Sequence, residues 1–145
     1  MTNLSDHLTL EDFVKSNTAT RDGIDNSLPD ELLETAKYTA QNLFEPIREL
    51  LGGVPLPVDS GYRCEALNTA VRGVPTSEHV LARALDMVPS NMTPLEAFNK
   101  IKNSNLIWNQ LILEHTSSGV YWVHASIVDG KNKQQVIPTL LKSNN

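Results

Sequence analysis

The chain has 145 residues, 40% hydrophobic and 20% charged, which fits one folded domain over residues 1–145 and excludes wholesale disorder. Net charge is −5 and no Lys/Arg run occurs, which argues against a nucleic-acid partner, because phosphate binding needs a concentrated basic surface. The lone Cys64 allows no internal disulfide, no apolar run approaches the ~20 residues of a membrane span, and the start MTNLSDHLTLEDF lacks the basic and apolar regions of a signal peptide.

Thr9-Leu-Glu-Asp12 has the form of a capping box before a short helix over Leu10 to Lys15. The polar stretch SNTATRDGIDNSLP that follows reads as irregular, so residues 1–26 are expected to form an irregular segment with one short helix, and His7 reads as a surface residue. Ser27 is a candidate N-cap for the longest amphipathic helix, roughly Leu28 to Leu51, with Leu32, Leu33, Ala36, Ala40, Leu43, Phe44, Ile47 and Leu50 at helical spacing. Pro46 should kink or split that helix, and Gly52-Gly53 should end it.

Val54, Leu56 and Val58 alternate in VPLPVDS, which predicts a short strand, and its two prolines favour a sheet edge. Gly61 turns the chain, and a short helix is expected over Glu65 to Val71. Cys64 reads as a small packing residue. Arg63 has two readings: a surface arginine pairing with a carboxylate, or a guanidinium aimed at a substrate carboxylate or polarised carbonyl.

The stretch VPTSEHVLARALDMVP carries His79 and Asp86, seven residues apart. Asp86 interrupts an apolar run that reads as a strand, a costly place for a carboxylate unless it is paired or binds a metal. His79 alone reads as a hydrogen-bonded loop histidine. With Asp86 and the distant His124 it forms a three-ligand set, the number that a catalytic zinc site takes while leaving one position open.

Thr93-Pro-Leu-Glu96 predicts a capped helix to about Asn103, with Leu95, Phe98 and Ile101 inward. Trp108 to Glu114 and Val120 to Ile127 read as two strands. Pairing them about Gly119 sets Glu114 opposite His124, where a general base for hydrolysis would sit, while His115 points to the other face. After a polar stretch from Asp129, the apolar tail at Val136, Ile137, Leu140 and Leu141 should pack as a strand or short helix.

The pattern SGYR, then S-x-H-x(2)-small-x-A-x-D, then W-V-H-x-S resembles the zinc D-Ala-D-Ala carboxypeptidase family, in the fold group shared with lysostaphin-type peptidases and the hedgehog domain. The N-terminal text resembles small phage-type members, and the likeness covers nearly the whole chain. It implies an α+β domain with an antiparallel sheet, helices on one side and a zinc cleft on the other. It implies one zinc per chain held by His79, Asp86 and His124, with Arg63 on the scissile carbonyl or terminal carboxylate and Ser77 helping to bind substrate. The expected substrate is the stem peptide of bacterial peptidoglycan, with no nucleic-acid or membrane partner and a monomeric enzyme. Such a protein would be made in the cytoplasm and act on the cell wall after release or as part of a virion.

Two departures from the family pattern stand out. Ala82 replaces the usual glycine between the first two ligands, and the usual base positions before the last ligand hold Tyr121, Gly119 and Ser118. Glu114 is therefore the candidate base. The rival readings are a lysin or virion endopeptidase, a zinc-containing binding module without turnover, and a domain with no metal.

Overall fold

The structure is a computed structural model that describes residues 2–142. It is an α+β domain built on a five-stranded sheet in the order β3-β4-β6-β5-β7. The strands are β3 (Val58–Ser60), β4 (Ala84–Met87), β5 (Gln110–Thr116), β6 (Tyr121–Ser126) and β7 (Gln135–Lys142). A separate two-stranded hairpin, β1 (Asn3–Ser5) with β2 (Leu8–Thr9), opens the chain.

The residues expected to be irregular after Lys15 contain a helix. Thr9 caps α1 (Leu10–Val14) through Asp12 N–H, and Ser16 caps α2 (Asn17–Asp22) through Ala19 N–H, with left-handed Gly23 ending it. Ser16 and Gly23 are ordinary start and stop signals that the polar composition between them obscured.

Ser27 caps nothing; its N–H and hydroxyl both donate to Asp25. The helical run starts at Asp30 with one 3₁₀ turn, continues as α3 (Leu33–Thr39), widens to a π-helical turn over Ala40–Phe44, and ends as α4 (Glu45–Leu50). Pro46 has no N–H for the carbonyl four residues back, and the wide turn just before it absorbs that loss without breaking the run. Val54 to Pro57 is not strand; only Val58–Ser60 pairs, at the sheet edge as its prolines require.

α5 (Glu65–Ala70) begins at Cys64, whose Sγ accepts from Leu67 N–H while the residue packs against the core. α6 (Pro94–Lys102) carries the full capping box of Thr93 and Glu96. Its inward residues are Ala97, Phe98 and Ile101; Leu95 is exposed.

Strand alternation divides the sheet. Leu85, Met87, Val123, Ala125, Leu111 and Leu113 join the core beneath α3, α4 and α6. Asp86, His124, Ile112 and Glu114 lie on the opposite face. The hairpin register differs from the expected one: Glu114 pairs with Trp122 and Ile112 with His124. The slip is two residues, so every side chain keeps its face. β7 runs parallel to β5, which makes the sheet mixed rather than wholly antiparallel. Among the described residues, no helix is long and apolar enough to cross a membrane.

Candidate metal centre

Three separate pieces of chain bring the ligands together. Asp86 sits on β4 directly opposite His124 on β6. His79 belongs to the turn before β4, where Arg83 N–H donates to Glu78 O and Ala82 N–H to His79 O. Ala82 closes that turn in the left-handed region, φ 60°, with its carbonyl accepting from the buried Thr39 hydroxyl at 2.8 Å. The backbone there has the conformation that glycine adopts without strain, so a side chain as small as alanine is the next best choice.

One ligand atom each from His79, Asp86 and His124 lies within 4.8 Å of the others, and all three residues are buried. Asp86 Oδ1 is 3.2 Å from His79 Nε2 and 3.0 Å from His124 Nδ1. His79 Nδ1 is 2.6 Å from the carbonyl of Gly61. A carbonyl only accepts, so Nδ1 carries the ring proton. Burial pushes the His79 pKa down, more than the nearby Asp86 charge lifts it. With Nδ1 committed to that carbonyl, Nε2 is the ring atom that faces Asp86 Oδ1, where a cation would be held between them.

Burial pushes Asp86 up, but the charges and hydrogen bonds of His79 and His124 outweigh this and hold its carboxyl far below the usual range. Burial pushes His124 down, yet Asp86, with Glu114 and Glu78 further off, brings its net shift upward. A buried carboxylate between two imidazoles, with one lone pair already aimed inward, is a donor set that fits a zinc ion with an open fourth position.

The supporting contacts are as ordered as the ligands. Arg63 donates to Ser60 Oγ at 3.1 Å, to Asn68 Oδ1 at 3.1 Å and to Asp86 Oδ2 at 3.4 Å. The guanidinium thus holds the Asp86 oxygen that the histidines do not take: it pairs with a carboxylate, as one of its two sequence readings had it, but in a largely buried place rather than at the surface. Arg63 also lines the cleft beside the ligands. Asn68 is buried and donates in turn to Val74 O at 2.9 Å. Gly73 packs against this pair, where any Cβ would collide with the Asn68 amide. Asn26 ties the arginine loop down, bonding Val14 O, Tyr62 O and Cys64 N–H. Neither Asn26 nor Asn68 was a candidate from sequence; their partners lie on other segments, so no local spacing marked them.

A cleft of about 480 Å³ opens over this face, lined by His79, His124, Glu114, Arg63 and Ser77 among others. Ser77 Oγ accepts from His79 N–H at 3.2 Å, so it orders the ligand turn as well as facing the cleft. Glu114 is buried, with Oε1 accepting from Trp122 Nε1–H at 2.7 Å and lying 4.0 Å from His124 Nδ1. His115 is on the other face, stacked on Tyr121. Glu78, also unassigned from sequence, accepts from Ser126 and Asn109 at 2.6 and 3.0 Å.

Two histidines and an aspartate, grouped beside a cleft, form a set that could hold a metal ion. The sequence profile of the family Peptidase M15 matches residues 6–126, and the chain belongs to that family. Membership places it among metal-dependent peptidases, in agreement with the buried His79–Asp86–His124 group. No curated protein matches the chain.

Proposed function

We propose that the protein is a zinc peptidase that cleaves peptide bonds in the stem peptides of bacterial peptidoglycan, in the manner of a D-Ala-D-Ala carboxypeptidase. The observation that carries the reading is the grouping of His79, Asp86 and His124 beside one cleft, which the two histidines line, with the Glu114 carboxylate near His124 on the same sheet face. The motif resemblance supports the peptidoglycan substrate.

His79, Asp86 and His124 would hold the zinc ion, which when bound supplies Lewis acidity to a carbonyl and acidifies water. Glu114 takes a proton at one carboxylate oxygen and returns it to the leaving amine. The Trp122 N–H fixes the orientation of that carboxylate, and its own burial keeps bulk water away. Arg63 keeps Asp86 ionised and oriented and offers positive charge to the substrate oxygen that becomes negative. Ser77 keeps its hydroxyl proton free to donate to the bound peptide. The enzyme acts on the cell wall after release from the cytoplasm.

Digestion of purified peptidoglycan followed by mass analysis of the products tests this. Loss of a terminal D-Ala is the expected result. Separated stems or cross-links would instead identify a lysin-type endopeptidase. Intact peptidoglycan with the zinc-loaded protein contradicts turnover altogether and leaves a metal-containing binding module.

A further inference from the structure

The family match ends at Ser126, but the cleft floor continues beyond it. β7 lies against β5 with Ile112 opposite Ile137, Glu114 opposite Leu140 and Thr116 opposite Lys142. An irregularity in the pairing, two residues on β5 against three on β7, keeps Ile137 and Leu140 opposite Ile112 and Glu114, and Ile137, Leu140 and Lys142 all line the cleft.

Of the basic residues that line this cleft, Arg63 and Lys142 hold their charges differently. The Arg63 guanidinium donates to three protein acceptors, Ser60, Asn68 and Asp86. The Lys142 ammonium makes no hydrogen bond among the described residues. Its nearest carboxylate oxygen, Glu114 Oε2, is 3.8 Å away, beyond hydrogen-bonding distance. The side chain is about one-third exposed, and Arg63, Arg83 and Lys133 also line the cleft of a protein that is acidic as a whole. An ammonium on a flexible stem, only loosely paired with Glu114 and with an aliphatic wall beside it, matches an acidic peptide. Lys142 reaches Glu114, which reaches His124, so the two ends of this contact chain lie within about three residues of extended peptide.

We propose that β7 is a specificity wall of the substrate site, where Ile137 and Leu140 take an aliphatic side chain and Lys142 receives a peptide carboxylate within about three residues of the metal centre. The inference rests on the peptidase reading above. It adds a residue that selects substrate and does not take part in the bond cleavage.

Zinc-loaded full chain is titrated with three versions of one acidic tripeptide, followed by NMR shifts of cleft residues. One version has free carboxylates, one is amidated at the C-terminus, and one has its side-chain carboxylate replaced by the amide. The wild type should lose roughly 10-fold in affinity for one of the amides, about the worth of a charge-assisted hydrogen bond. The amide that loses affinity tells whether the carboxylate is terminal or side-chain. Lys142→Gln should bind acid and amide alike, and Lys142→Arg should keep the preference. Full discrimination in Lys142→Gln, or none in the wild type, overturns the inference while leaving the peptidase reading standing. A wild type that binds no peptide in any form also overturns the inference, while the peptidase reading is decided separately by the peptidoglycan digestion.

Discussion

The two faces of β4, β6 and β5 are built from alternate residues of the same strands, yet they do opposite things. Leu85, Met87, Val123, Ala125, Leu111 and Leu113 face the helices and close a core. Asp86, His124 and Glu114, each one residue away, are buried ionisable groups on the opposite face, where His124 and Glu114 line the cleft. The core face holds by volume and contact, so its residues are exchangeable within size limits. The cleft face holds by direction: Asp86 Oδ1 meets His79 and His124, and its Oδ2 accepts from Arg63. Substitutions on one face should therefore cost stability, and on the other, activity.

The largest separation of the two is expected at Glu114. Glu114→Gln keeps the size and the acceptor for Trp122 but cannot take a proton, and it should lower turnover by about 10²–10⁴ with zinc still bound. His115→Ala, on the opposite face, should cost far less in the same assay. If the histidine variant were the inactive one, the cleft face would be misassigned.

Arg63→Ala comes next, with an expected loss on the order of 10²–10³ in rate. Arg63→Lys should recover little, because an ammonium cannot span Ser60, Asn68 and Asp86 at once. Unchanged rates in both variants would reduce Arg63 to a structural residue.

On the core face, Leu111→Ala should lower unfolding free energy by about 2–5 kcal/mol, measured by denaturant titration, while the rate per folded molecule stays near wild type. A variant that stayed stable but lost activity would break the division between faces.

The smallest effect concerns the turn that joins them. Ala82→Gly relieves about 1–2 kcal/mol of left-handed strain, offset by about 0.5–1 kcal/mol of glycine backbone entropy and by the lost buried methyl. Stability should move by less than about 1 kcal/mol in a thermal melt, with metal binding intact. A larger loss would mean that the methyl packs for more than its area suggests.

How far the sequence revealed this molecule depended on the range of each interaction. Asp86 stood out because a carboxylate inside an apolar strand needs a partner, and the partners are where that reasoning expected them. The Glu114 side of the site was legible through parity: the hairpin register was read two residues off, and an even slip leaves every residue on its face. Leu95 was read as inward from spacing alone, although the helix begins at Pro94 and its first turn lies outside the core. The Arg63–Asn68–Asp86 contacts and the parallel pairing of β7 with β5 were not legible, because both join segments whose relation only the tertiary fold defines. The wide helical turn before Pro46 followed from the missing N–H, but whether the helix would break or widen depended on the core holding both halves.

The account stands or falls on the metal. Crystals of the purified protein, measured at the zinc absorption edge, should show one strong anomalous peak per chain, about 2.0–2.2 Å from a nitrogen of His79, an oxygen of Asp86 and a nitrogen of His124. That peak should vanish in Asp86→Ala. Zinc bound at other residues, or the same peak persisting without Asp86, would contradict the assignment of this cleft as the catalytic centre.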